Sequence, residues 1–257
     1  MKERLDVLLV DRRLVESRIK AQWLIKNGHV LVNDVKITKP GKLVNNTNKI
    51  HLIKEFPYVG RGGIKLEAAL KNFNISVRGK VCADIGASIG GFTDCLLKHD
   101  AQKVYAIDIA TDFLHPSLLC EKMKTKVIPL LGVDIRHLEH LEELVDIVVM
   151  DITFTSVKDI LPKALHFIKN DGCLITLIKP VFETEFLKES KLRIIKDTEK
   201  LREILLDIID WSKKREIYPH NLMKSPIKGA GGSMEFFILF TKMKAEIITN
   251  IVDEIFD

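Results

Sequence analysis

Between residues 80 and 109 the apolar positions run first without interruption, then at helical spacing, then without interruption again. Val81–Ile85 is apolar apart from Asp84, and Gly86, Gly90 and Gly91 precede a helical face of Phe92, Cys95, Leu96 and Leu97. Residues 104–109 are apolar around Asp108. Short continuous runs read as buried strands and the three-to-four spacing as an amphipathic helix, so this stretch predicts a βαβ half-unit. The alternation continues downstream. Strands are expected at 126–131, at IVVMD ending in Asp151, and at CLITLIK ending in Lys179. Helices are expected at 64–73, at 157–168, and through Leu201, Ile204, Leu205, Ile208 and Trp211. A last pair of strands, 217–223 and 235–241, brackets SPIKGAGGSM, expected as a tight exposed loop. The tail KAEIITNIVDEIFD reads as an amphipathic helix packed on the protein, whereas FETEFLKESKLRIIKD takes no element. Alternating strands and helices predict an α/β, Rossmann-like doubly wound sheet.

The first 44 residues have another rhythm: helix, helix, hairpin. Leu5, Leu8 and Leu9 form one stripe, Ser17 can cap a second helix carrying Ala21, Leu24 and Ile25, and HVLVNDVKI alternates around Asn33-Asp34. Residues 45–63 read as a connector, briefly strand-like at 50–53 and broken by Pro57, Gly60, Gly62 and Gly63, which suits a hinge. Two domains are therefore expected, 1–58 including the linker and 59–257, within the 257 residues.

Charge adds a partner to this picture. The chain carries +5 overall, and residues 1–44 hold ten Lys and Arg against five acids, so the whole surplus lies in the small module. Arg12, Arg13, Arg18 and Lys20 cluster where they could grip phosphates; the other reading is a solvated charged surface. No apolar run is long enough to span a bilayer, and the charged start MKERLDVLLVDRR does not suit a signal peptide, so a cytoplasmic protein without membrane contact is expected. Cys82, Cys95, Cys120 and Cys173 lack ligand spacing, so neither disulfide nor metal site is expected.

The candidate chemistry lies at strand ends. Asp84-x-Gly86-x-x-x-Gly90-Gly91 is not the dinucleotide fingerprint. An acid inside the turn would repel a pyrophosphate but could hold an ammonium, which points to S-adenosylmethionine; the alternative is an ordinary α/β turn with glycines for packing. Gly90 and Gly91 would let that ligand approach the helix start. Asp108, roughly 20 residues on, suits the ribose hydroxyls, and Asp134 could meet an adenine amino group. Lys65 stands in the opening turn of a helix, where the dipole disfavours a cation, and Lys179 closes an apolar run before Pro180. Asp151 ends a buried strand and Glu235 opens the last one, so a doubly wound sheet would bring these residues to one edge.

Residues 4–44 resemble the RNA-binding domain of ribosomal protein S4 and its relatives. Lys65, Asp151, Lys179 and Glu235 match the Lys-Asp-Lys-Glu tetrad of the FtsJ-like ribose 2′-O-methyltransferases. With YVGRGGIKL, ADIGASIGGFTDCLL, VVMDITFTS, LIKPVFE and SPIKGAGGSMEFF, nearly the whole chain resembles the TlyA (haemolysin A-like) rRNA methyltransferases. The resemblance implies methylation of a cytidine 2′-hydroxyl in 16S or 23S rRNA of one or both ribosomal subunits. It implies a cofactor cradle of Asp84, Gly86, Ala87, Ser88, Gly90, Gly91, Phe92, Asp108 and Asp134, with RNA gripped by Arg4, Arg12, Arg13, Arg18, Lys20 and Arg61. Lys179 would be the base or hydroxyl-orienting group, Asp151 its partner, Lys65 the second cation and Glu235 the partner of Lys65. The sequence departs from the family at Ala87 and Ile89, where hydroxyls are common, and after Phe182-Glu183, where a glycine- and lysine-rich loop is usual.

Three competing readings are weaker. An RNA-binding protein with a decayed enzyme domain should have lost tetrad residues; a membrane-lysing protein needs a spanning or basic amphipathic segment, and the tail is acidic on its polar face. An NAD-dependent dehydrogenase fits the fold but not the glycine spacing.

Overall fold

A computed structural model describes residues 2–184, 194–244 and 249–256. The chain divides into two units, Met1–Pro57 and Tyr58–Asp257.

The first unit contains β1 (Lys2–Arg4), α1 (Leu5–Asp11), α2 (Arg18–Lys26), β2 (Val30–Val32), β3 (Val35–Lys36), β4 (Leu43–Asn45) and β5 (Ile50–Leu52). The leucine stripe of α1 meets Ala21, Leu24 and Ile25 of α2, and Val30, Val32, Ile37 and Val44 close the core. Ser17 caps α2 by accepting the Lys20 N–H at 3.3 Å. Asn33 and Asp34 both take positive φ, 48° and 63°, as a two-residue hairpin turn requires. The strand-like run expected at 50–53 is β5, which pairs with β2, and β4, just ahead of the connector, pairs with β1. Strands of three residues are too short to display a period, so their pairing is invisible in a local window.

The second unit contains α3 (Arg61–Asn72), β6 (Val81–Ile85), α4 (Gly91–Lys98), β7 (Lys103–Asp108), β8 (Val127–Leu131), β9 (Val145–Met150), α5 (Val157–His166), β10 (Ile168–Ile178), α6 (Thr198–Lys213), β11 (Tyr218–Lys224), β12 (Phe236–Thr241) and α7 (Thr249–Glu254). Its seven-stranded sheet has the order β11-β12-β10-β9-β6-β7-β8. From β10 to β8 every pairing is parallel, while β12 runs antiparallel between β10 and β11. All five residues of β6 are buried, the pattern of a parallel strand covered on both faces. Ile160, Leu161 and Ala164 of α5 and Leu201, Leu205 and Ile208 of α6 belong to the large core on this sheet. The chain moves outward from β6 to β8 and returns at β9, so the order reverses between β6 and β9. That reversal opens a crevice at the carboxyl ends of these two strands.

Some element bounds differ from expectation for identifiable reasons. α3 begins at Arg61 rather than 64, with Gly62 and Gly63 inside its first turn. A Cβ on Gly63 would lie 2.3 Å from Tyr58 Cγ, and one on Gly91 3.1 Å from the Gly63 nitrogen, so these glycines let α3 approach the start of α4. Packing overrides their poor helix propensity. α5 stops at His166, and Ile168 already pairs with Val145 as the first residue of β10. β7 ends at Asp108, whose carboxylate accepts the Ala110 N–H at 2.8 Å and turns the chain. Residues 185–193 of the unplaced stretch and 245–248 of the expected tail helix lie outside the described residues. In the described part of the tail Val252 is buried, and Phe256 meets Phe236 edge-on at 5.6 Å.

Candidate active site

The crevice holds a cavity of about 210 Å³ lined by Arg61, Gly62 and Lys65 of α3, the turn Gly86 to Ile89, Gly91, Phe92 and Asp151. Parallel pairing explains why Asp151 faces the glycine turn: its N–H donates to the Ile85 carbonyl at 3.0 Å. Lys179 follows β10 at the same edge, and its ammonium pairs with the Asp151 carboxylate. The antiparallel β12 starts where β10 ends, with Phe236 opposite Ile178, which delivers Glu235 to that edge. Lys65 Nζ donates to Glu235 Oε2 at 2.5 Å, and the two residues are only 7% and 5% exposed. The four residues therefore form two lysine–carboxylate pairs, one member of each lining the cavity. An early start for α3 puts Lys65 in the second turn, away from the helix terminus expected to disfavour it. At that depth a lone ammonium or carboxylate would be strongly destabilising, so each partner requires the other.

The expected cofactor residues divide into two groups. Gly86, Ala87, Ser88, Gly91 and Phe92 line the cavity; Asp84, Gly90, Asp108 and Asp134 do not. Asp108 bridges the turn, accepting the Ser88 N–H at 2.6 Å as well as that of Ala110, and each oxygen retains a lone pair for a hydroxyl. Asp84 is inaccessible; it accepts the Thr93 hydroxyl at 2.6 Å on Oδ2, and its Oδ1 has no hydrogen-bond partner among the described residues. Burial pushes the Asp84 pKa up to about 7 against the Thr93 bond, with Asp151 adding to the rise. A buried carboxylate oxygen lacking a donor fits an incoming ammonium.

Asp134 and the two helix-start glycines also have protein neighbours. Asp134 is gripped by Arg136 through Nε at 3.0 Å and through Nη2, and Arg136 lowers its pKa to about 2; an adenine contact would have to share those lone pairs. Gly90 and Gly91 answer to protein neighbours, since a Cβ on Gly90 would meet Leu118 Cδ1 at 2.3 Å.

In the first unit Arg4, Arg12, Arg18 and Lys20, among the expected RNA-binding cations, are held by local partners. Arg4 forms a two-point pair with the inaccessible Asp6, at 2.9 and 3.0 Å, and Arg18 joins the same carboxylate at 3.2 Å. Arg12 donates to the carbonyls of Asn46 and Asn48, and Lys20 pairs with Glu16. Arg13 sits in the turn after α1 at φ 56°.

Sequence reasoning missed Thr93, which holds Asp84, and Gly62, which lines the cavity. It also gave Glu183 no role, although this carboxylate caps α5 by accepting the Ser156 hydroxyl at 2.6 Å and the Val157 N–H at 2.9 Å. A hydroxyl early in a helix and an acid after a strand-ending Lys-Pro are faint signals on their own.

A mostly parallel sheet with an antiparallel strand beside β10, an acid-bearing glycine turn at its switch point and paired lysines at the same edge define a methyltransferase of the Rossmann-like type. The chain belongs to the FtsJ-like methyltransferase family, which matches residues 58–242, and an S4 domain matches residues 3–48. It is 40% identical over 242 residues to hemolysin A of Brachyspira hyodysenteriae, covering 92% of this chain and 99% of that one. It is 31% identical over 239 residues to the 16S/23S rRNA (cytidine-2′-O)-methyltransferase TlyA of Mycobacterium tuberculosis, covering 91% and 88%. A solved Streptococcus thermophilus structure carrying a hemolysin name superimposes with a TM-score of 0.73 at 30% identity, covering 99% and 94%. Among the described residues no helix is long and apolar enough to cross a membrane.

Proposed function

We propose that this protein transfers a methyl group from S-adenosylmethionine to the 2′-hydroxyl of a cytidine in ribosomal RNA, with Lys65, Asp151, Lys179 and Glu235 as the reacting site. The observation that carries this reading is the pair of lysine–carboxylate contacts bordering one cavity beside the glycine turn. When bound, the cofactor supplies a sulfonium-activated methyl group. Asp84 Oδ1 is the candidate acceptor for its amino group and Asp108 for its ribose hydroxyls.

A ribose hydroxyl is a very weak acid, so it must be hydrogen-bonded to a base and held in line with the methyl carbon. Lys179, oriented by Asp151, directs the hydroxyl as the ammonium and takes up its proton only as the neutral amine. Lys65, oriented by Glu235, lies one helical turn from Arg61, and together they present positive charge to the nucleotide's phosphate and sugar. Fixed geometry does most of the work, because the reactants need alignment more than they need a strong base. The S4 domain supplies the electrostatic hold on RNA, and the names of the TlyA relatives support rRNA as the substrate.

The test is transfer of labelled methyl from S-adenosylmethionine to unmodified ribosomal subunits and naked rRNA, comparing wild type with Lys179→Ala. Label on a cytidine ribose should appear with wild type and fall by ~10²-fold or more in the variant. Equal label from both proteins would remove Lys179 from the chemistry, and label on a base would overturn ribose methylation.

A further inference from the structure

We propose that Gly229 is a positioning residue for the Glu235 carboxylate and, through it, for Lys65; the inference rests on the catalytic reading of that pair. The loop between β11 and β12 is tied back on itself. Ser225 N–H donates to the Glu235 carbonyl at 2.8 Å, Gly229 N–H to the Ser233 carbonyl at 2.9 Å, and Gly232 N–H to the Gly229 carbonyl at 3.1 Å. The Ser225 hydroxyl adds a bond to the Ile227 carbonyl at 2.9 Å. These bonds fold the loop so that Gly229 lies against the Glu235 carboxylate.

The two carboxylate oxygens then have different neighbours. Oε2 accepts the Lys65 ammonium, whereas Oε1 lies against the bare Cα of Gly229: a Cβ there would be 2.0 Å from Oε1, 2.6 Å from Glu235 Cδ and 2.6 Å from Ser233 Oγ. Gly229 is not among the residues with positive φ, so its backbone would accept alanine without strain. The requirement for glycine is therefore volume alone, and the volume is claimed by the tetrad carboxylate.

Which atom would yield separates this glycine from the others in the site. A Cβ on Gly63 would strike the root of the Tyr58 side chain, and one on Gly86 would strike the Asp151 backbone carbonyl at 2.4 Å, so both substitutions attack the fold. At Gly229 the obstructing atoms are the far ends of Glu235 and Ser233, which can swing aside. Gly229→Ala thus leaves the fold standing and moves the carboxylate off Lys65. The ammonium loses the group that aims it into the cavity.

The experiment is a double-mutant cycle on single-turnover methyl transfer to rRNA with wild type, Gly229→Ala, Glu235→Ala and the double variant, alongside thermal unfolding and S-adenosylmethionine affinity. Gly229→Ala should slow transfer on the order of 10²-fold, the cost of a misplacement of about 1 Å, with cofactor affinity within about twofold of wild type. In the Glu235→Ala background the added alanine should change the rate by less than about twofold, since the clashing Oε1 and Cδ are gone and only Ser233 Oγ is left to move. A Gly229→Ala effect of equal size in both backgrounds, or a fully active Gly229→Ala, overturns the proposal. Should Gly229→Ala fail to fold while Glu235→Ala folds, a folded double variant supports the contact and an unfolded one overturns it. Wild-type rate in Glu235→Ala would sink the catalytic reading of the pair first, whereas an inactive Glu235→Ala beside an active Gly229→Ala sinks only the role of Gly229.

Discussion

The proposed role of Asp84 makes binding and stability respond oppositely to pH. Its carboxyl has an ordinary pKa of 3.8, raised to about 7 in the folded protein by burial. Between these values the folded chain keeps a proton that the unfolded chain has released, so Asp84 contributes stability that is full below about pH 4 and lost as pH rises to about 7. The proposed contact with the cofactor's ammonium needs the ionised form, so affinity should strengthen by up to about tenfold per unit towards pH 7 and then level off. Calorimetric titration of S-adenosylmethionine from pH 5.5 to 8, with thermal unfolding of the free protein, checks both signs. Asp84→Asn should flatten both trends, and an unchanged affinity slope in that variant would discard the contact. Asp84, Asp151 and Lys179 are conspicuous in the sequence because they interrupt or end apolar runs. Thr93 and Gly229 are not, since a hydroxyl within a helix and one glycine among several carry no local signature of what they touch.

At the scale of elements the α3–α4 contact sets the site. Three glycines, Gly62, Gly63 and Gly91, bring the two helix starts together, with Tyr58 packed beneath Gly63. The buried Asp94 of α4 accepts the Val59 N–H at 2.8 Å and so ties down the chain entering α3. Gly63→Ala should cost about 1–3 kcal/mol, because the alanine methyl meets the root of a buried ring. For a chain of this size that is a fall in Tm of about 2–4 °C per kcal/mol, readable by calorimetry. An unchanged Tm would mean the helices are not closely packed there. The connector expected at 45–63 spans the boundary between the two units, and its last residues, 61–63, join α3 because contact between the helices offsets glycine's poor helix propensity. The helices α4, α5 and α6 were legible to within a few residues because their apolar faces repeat within each segment. Three-residue strands such as β1 and β4 were not, because they are too short to repeat anything.

At the scale of the whole molecule, charge and topology divide the labour. The surplus of +5 lies in the first 44 residues, where Arg4 and Arg18 hold Asp6 well below the usual carboxylate range yet keep side chains about half exposed, at 47% and 55%. If this module anchors RNA through about six phosphates, affinity should fall on the order of 10³-fold between 50 and 200 mM salt. Filter binding of the full chain to rRNA across that range measures the slope, and a flat response would remove the module as the anchor. Periodicity, breakers and isolated charges are local properties, so the amino-acid sequence by itself determined an α/β order of elements, a basic leading module, and acids and lysines at strand ends. Only the tertiary structure decided that β12 runs antiparallel beside β10, which realises across 170 positions the Lys65–Glu235 pairing the family resemblance implied, and that Gly229 must leave room for the carboxylate. Those facts depend on contacts between distant segments, whose energies no short window of sequence contains.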